Sequence, residues 1–311
     1  MRVTSEVLVT RSLDRLNTRL KAYERSQSEL ATGKKILKPS DDPGGANRSM
    51  SVRAAMRARN QELRNINDAM GWLNNADSQL QSAMSRTQRA RDLTVDGATL
   101  KDPGAQRAIA TELRAIADEL VGIANTTHIG RPLFGGYSDG DAVTPAVDAD
   151  GDPVLDDDGR PVLAFDPPAD QADQVLRRIS DTEQIRINTT AAEWLGADDD
   201  AGDLVSFLRG LADDIEAGDQ EAATAGLTVL DRAADRIGSN LADIGSATNR
   251  VESAKARADD SLFALRTELS NIEDVDVAEG IMELQIQEVG YQATLQALSK
   301  ALPPSLGSFL R

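Results

Sequence analysis

Apolar side chains near the N-terminus fall on a heptad grid. Val9, Leu13, Leu16, Leu20, Tyr23, Gln27 and Leu30 follow one another at alternating spacings of four and three, which places them on one stripe of a helix. Near the C-terminus Ile281, Leu284, Glu288, Tyr291, Leu295, Leu298 and Leu302 repeat the pattern at spacings of three and four. A stripe this narrow, flanked by polar residues, is a coiled-coil seam that one helix cannot bury alone. Each end needs a partner, and the simplest partner is the other end.

Between them the pattern predicts longer helices. After Leu30 the segment ATGKKILKPSDDPGGA is punctuated by Gly33, Pro39, Asp42 and Pro43, and Asp42-Pro43 reads as an N-cap followed by proline at the first helical position. The helix opening there reaches about Thr99. Ile66, Leu73, Leu80, Thr87 and Thr94 recur every seven residues along it, with Ala69, Ala76, Ala83 and Ala90 three residues after the first four. Asp102-Pro103 repeats the cap signal and opens a helix with Ile109, Leu113, Ile116, Leu120 and Ile123 on its seam; so short a break implies antiparallel neighbours. The longest repeat runs from Leu227 through Leu230, Ala234, Ile237, Leu241, Ile244, Thr248, Val251, Lys255, Ala258, Leu262, Leu265 and Leu269 to Ile272, a helix of roughly 65 to 70 Å.

A different texture fills Arg131 to Gly202. LFGGY is followed by DADGDPVLDDDGRPVLAF, whose apolar runs are separated by Asp-Gly pairs suited to hairpin turns. VLRRIS and EQIRINTT alternate like half-buried strands. The expected fold is mainly α: a long antiparallel coiled-coil or helical-bundle rod of paired N- and C-terminal segments, with a small β-rich domain inserted. Its expected divisions are residues 1–40 with 275–311 (terminal helical core), 41–130 with 203–274 (long bundle) and 131–202 (acidic β-rich insertion).

Charge sharpens the pairing. The chain of 311 residues has a formal net charge of -17. Residues 134–220 hold 5 Lys and Arg against 22 Asp and Glu, so the rest sums to zero. Within that rest, residues 1–64 carry 14 basic and 7 acidic side chains, and residues 259–290 carry 1 and 9. Opposite signs on candidate partner helices favour pairing them, and the acidic middle disfavours nucleic acid. No apolar run is long enough to span a membrane, and the first residues lack the pattern of a cleaved secretory signal.

Composition narrows the chemistry. There is no cysteine and a single histidine, His128, which removes thiolate nucleophiles, disulfides and Cys or multi-His metal centres. His128 is expected at the surface or in a turn. Asp148, Asp150 and Asp152 alternate as in a calcium loop, but Pro153 and Gly159 stand where that loop needs Gly and a bidentate Glu. These residues read as acidic turns. Asp41 and Asp42 read as turn and cap residues rather than paired catalytic carboxylates, and the arginines between Arg48 and Arg64 as a solvated or helix-pairing face. No catalytic, cofactor or metal site is expected.

The segment Thr32, Gly33, Lys34, Lys35, Pro39, Ser40, Asp41, Asp42, Pro43 resembles the corresponding turn of the bacterial flagellin superfamily, in the wording of its hook-filament junction branch. The stretch DVDVAEGIMELQIQEVGYQATLQALSKALPPSLGSFLR is similar to that family's terminal helix and tail, although Gly307 and Ser308 replace the more usual Leu-Asp before Phe309 and Leu310. The likeness covers both ends well, the helical middle by pattern, and the insertion only at GRPLFGGY.

The resemblance implies a structural subunit of the flagellum outside the cell, joining hook to filament. It implies a ring of copies as self-partner, the first hook-associated protein and flagellin as neighbours, and export through the flagellar type III channel with a chaperone on the C-terminal helix. Leu13, Leu16, Leu20, Tyr23, Leu30, Ile281, Leu284, Tyr291, Leu295, Leu298 and Leu302 then become assembly surfaces, with Gly33, Pro39, Asp41, Asp42 and Pro43 forming the turn. The alternatives are a flagellin filament subunit and, from another class, a secreted coiled-coil binding protein or adhesin.

Overall fold

The computed structural model describes residues 2–148, 150, 152–155, 159–168, 174–199 and 202–301. Helices dominate: α1 (Arg2–Thr32), α2 (Pro43–Thr99), α3 (Pro103–Ala124), α4 (Ala191–Leu195), α5 (Leu204–Ala217), α6 (Gln220–Glu273) and α7 (Val277–Ala301). Short strands lie between α3 and α4: β1 (Thr127–His128), β2 (Arg131–Pro132), β3 (Val143–Pro145), β4 (Leu163–Phe165), β5 (Leu176–Arg178) and β6 (Gln184–Arg186). The chain forms two compact units, residues 60–259 and residues 1–59 with 260–311.

The unit of residues 60–259 holds the hydrophobic core. Ile66, Ala69, Leu73, Ala76, Leu80, Ala83 and Ala90 on α2 are all buried with Thr87 and Thr94, so the seven-residue repeat is the core stripe. The two threonines are tolerated there because each hydroxyl donates to a backbone oxygen one turn back, Ala83 O and Ala90 O. The Asp102 side chain accepts from Ala105 N–H at 2.9 Å, with Pro103 opening α3. Arg86–Glu119 and Arg89–Glu112 ion pairs set α3 antiparallel to α2. Arg114 and Arg209 bind Asp213 and Asp118 across α3 and α5, and Arg91–Asp231 joins α2 to α6.

On α6 the stripe lies partly one residue from the expected one. Leu230, Ile237, Ile244 and Val251 are buried as read, but Ala233 and Ala254 are buried while Ala234 and Lys255 are only half-covered. Alanines flank the stripe on both sides, so the pattern alone does not choose between them.

Among the described residues the insertion is β-rich in small pieces, three separate two-stranded antiparallel sheets pairing β1 with β2, β3 with β4 and β5 with β6. Backbone hydrogen bonds run from Val154 N to Ala146 O, Val162 N to Val154 O and Ala146 N to Val162 O. Positions eight residues apart thus close into a ring above β3 and β4. The Asp148 carboxylate accepts from the N–H groups of Asp150 and Asp152, which is the acidic-turn role. Asn125 anchors the insertion to α3 by exchanging two side-chain hydrogen bonds with the Val143 backbone, both 2.8 Å. Arg160 reaches back to Asp213 on α5.

One expectation changes here. The strand read over EQIRINTT stops at Arg186, because Thr190 and Glu193 form a capping box that opens α4. His128 is half-buried and stands at the edge of the hairpin turn that joins β1 to β2, where its ring meets Trp72 edge-on at 5.5 Å and Asn75 Nδ2 lies 3.3 Å from its Nδ1.

Candidate assembly surfaces of the terminal helices

The unit of residues 1–59 with 260–311 is built differently. Among its described residues, the buried apolar side chains are Ala46, Val52 and Leu262 alone; Ser26, Ser49 and Glu273 are buried beside them. So thin a core contrasts with the continuous cluster of residues 66–258.

Its principal contact is the antiparallel pair of α1 and α7. The rings of Tyr23 and Tyr291 stack at 6.4 Å with 13° between planes. A Cβ built at Gly280 would lie 2.8 Å from Leu30 Cδ2, so Leu30 packs into the space above Gly280 and would have to shift for a larger residue there. Arg19 Nη1 donates to Gln287 Oε1 at 3.3 Å and lies over Gly290. Along one side of the pair runs a groove of about 910 Å³ lined mostly by small and polar residues, among them Ser12, Arg15, Ala22, Ala293 and Ala297, with Leu298.

The seam residues separate into two groups. Leu16, Leu20, Tyr23, Leu30, Leu284, Tyr291 and Leu298 are half-buried, while Leu13, Ile281 and Leu295 are exposed. Leu302, the Gly307–Leu310 tail and the side chain of Val9 lie outside the described residues. A second stripe on α7 went unread in the sequence: Met282, Ile286 and Val289 are spaced by four and three and are 59%, 62% and 66% exposed. Apolar residues thus stand on two faces of α7, and α1 covers one.

The expected charge pairing exists, concentrated at the base of the helices. Arg53 grips the Glu273 carboxylate through Nε at 3.1 Å and Nη2 at 2.6 Å, and Lys34 Nζ adds a third bond at 2.9 Å. Hydrogen bonding from Arg53, with Lys34 and Ser49 adding to it against the cost of burial, brings the Glu273 carboxyl down to about 2. The turn residues act locally. Gly33 takes a left-handed φ of 71° after α1, and Asp41 accepts from the N–H groups of Leu37 and Lys38. Asp42 accepts from Gly45 N–H with Pro43 as the first residue of α2, while Pro39 sits in the turn between. Among the described residues no helix is long and apolar enough to cross a membrane.

Against known proteins, the N-terminal helical region of bacterial flagellin matches residues 6–139 and the C-terminal helical region matches residues 227–307. Among solved structures, a Vibrio parahaemolyticus protein described as flagellar hook-associated aligns with a TM-score of 0.65 at 18% identity, over 75% of this chain and 100% of its own. FlgL of Bacillus cereus aligns at 0.55 and 21% identity, covering 71% and 99%. The flagellar junction protein FlgL of Legionella pneumophila gives 0.56 at 12%, covering 73% and 99%. At such identities the likeness is one of fold. No curated protein sequence matches the chain.

Proposed function

Because the chain belongs to the bacterial flagellin family, carrying both its N-terminal and its C-terminal helical region, we propose that it is a structural junction subunit between the flagellar hook and the filament. The observation that carries the proposal is how few apolar side chains are buried among the terminal unit's described residues. With three buried apolar side chains among its described residues, the unit holds α1 against α7 only weakly in a single chain, and α7 leaves Met282, Ile286 and Val289 in water. Copies of the same helices stacked side by side would cover those faces and fill the groove beside α1.

The junction place is favoured over the filament by the Lys34-Lys35 to Pro39-Ser40-Asp41-Asp42-Pro43 turn and by the fold shared with proteins named for the hook and the junction. In that place the subunit forms a ring with its own copies, meets the first hook-associated protein on one side and flagellin on the other, and lies outside the cell. The role is mechanical, with no catalytic step. Residues 1–40 with 275–311 pack between subunits, residues 41–130 with 203–274 support them, and residues 131–202 carry the acidic surface. Passage through the flagellar type III channel, with a chaperone on α7 until export, fits a chain without cysteine whose ends are held by so few buried apolar side chains.

Electron microscopy of a deletion strain tests the reading. Bare hooks with flagellin shed into the medium are expected. Normal filaments on normal hooks would refute it, and finding this chain as the main protein of purified filaments would make it the filament subunit instead.

A further inference from the structure

The terminal helices meet the rest of their unit at a joint that ties together distant parts of the chain. α6 ends at Glu273 and residues 274–276 lead directly into α7, while α1 ends at Thr32. Residues 33–35 and 273–275 run antiparallel past one another. Val275 N–H donates to Gly33 O at 3.0 Å, Lys35 N–H donates to Glu273 O at 2.7 Å, and Lys34 pairs with Asp274 between them. Lys35 Nζ also donates to Asn271 O at 2.9 Å. At the centre, Glu273 is 6% exposed and its carboxylate receives the three bonds from Arg53 and Lys34.

The joint has the same offset as the helix pair above it. Lys34 faces Asp274, Leu30 packs above Gly280, and Arg19 lies over Gly290. In each pair the second number rises about as the first falls, as it must for two antiparallel helices of equal rise. The leucine stripe cannot supply that offset by itself. Leu13, Leu16 and Leu20 repeat at spacings of three and four, so sliding α7 along α1 puts apolar side chains against apolar side chains again. A stripe selects a face and leaves the register degenerate.

We propose that Glu273 is the positioning residue that sets the register of α1 against α7, by holding the two connectors in one alignment from which both helices grow. The joint also turns an encounter between segments at opposite ends of the chain into the closing of a local hairpin, which raises their effective concentration. Glutamine at 273 keeps the shape but leaves Arg53 and Lys34 facing a neutral amide, and the alignment loosens. The proposal concerns the pairing that the junction reading requires; it is measured on the free chain, so either can fail without the other.

The chain has no cysteine, so introduced pairs report cleanly. Disulfide formation under mild oxidation is compared between Arg19→Cys with Gln287→Cys, which matches the register, and Arg19→Cys with Glu283→Cys, one turn out of it. With Glu273 present the matched pair is expected to close about tenfold faster. Adding Glu273→Gln, or separately Arg53→Gln, should bring the two rates within about twofold, while circular dichroism melting of the 60–259 unit stays unchanged. A preserved preference in both variants would overturn the proposal, as would equal rates in the chain that retains Glu273, since no register would then exist to be set.

Discussion

Tyr23 and Tyr291 stack with near-parallel rings across the terminal helix pair, ring centroids 6.4 Å apart. Among the described residues of this unit they are the one aromatic pair, and few apolar side chains are buried, so their contact is a measurable share of what holds α1 to α7. A double-mutant cycle with Tyr23→Ala and Tyr291→Ala should give a coupling of about 0.5 to 1.5 kcal/mol, read from hydrogen exchange of α1 amides. Strictly additive single effects would mean that the rings do not meet in the free chain.

The second stripe of α7 makes a different prediction, about assembly and not about folding. Met282 and Ile286 are in water in the single chain, so Met282→Gln with Ile286→Gln should leave its melting profile unchanged. If neighbouring copies bury both side chains at roughly 1.5 to 3 kcal/mol each, losing them weakens association by more than about a hundredfold. Sedimentation of the purified chain, together with complementation of a deletion strain, would show this. Unaltered assembly would place the subunit contact on another face.

How much of this was legible in the sequence depended on what surrounds each helix. Ile66, Leu73 and Leu80 recur on α2 with alanines between, and all are buried. A strict heptad against closely packed neighbours reads without ambiguity. On α6, alanines stand on both sides of Leu230 and Val251, and small residues do not reveal which side is covered. α7 misled more, since Ile281 and Leu284 interleave with Met282 and Ile286. Any single stripe accounts for one face and hides the fact that there are two. The short α4 has too few residues for periodicity to show; its signal was the Thr190 to Glu193 capping box. The Glu273 joint was out of reach altogether, because it depends on residues more than two hundred apart meeting through chain topology.

Acid should loosen the terminal unit before it affects the bundle. The Glu273 carboxyl sits at about 2 in the folded chain against an ordinary 4.5, because Arg53 and Lys34 hold its charged form. A carboxyl depressed on folding contributes stability that is complete above its unfolded value and is lost as pH falls through the folded one. The loss therefore runs from about 4.5 down to about 2. Its full size is no more than about 3 kcal/mol, discounted because Arg53 and Lys34 are partly in water. Protection of the α1 and α7 amides, each exchange rate taken relative to its intrinsic rate at that pH, should fall between about pH 6 and about pH 2 in the native chain and change much less in Glu273→Gln. Equal acid response in both would assign the effect to other carboxylates.

The turn joining β1 to β2 carries a conformational cost that one substitution should remove. Ile129 has a φ of 52° and is followed by Gly130 at 75°, the left-handed pair that a tight antiparallel hairpin needs to match the twist of its strands. Asn-Gly and Asp-Gly are the usual occupants, because a β-branched side chain at positive φ crowds its own backbone. Nothing offsets this locally: Ile129 is 83% exposed, so its side chain buries little in return. Ile129→Asn keeps the turn and relieves the crowding, and should raise stability of the 60–259 unit by about 1 kcal/mol. Chemical denaturation would register this as a higher midpoint at unchanged slope. The His128 packing against Trp72 next to the turn gives an internal control, since its resonance should not shift if the hairpin keeps its geometry. A lower midpoint would mean that the isoleucine side chain contributes more to the chain's own stability than relief of the crowding returns.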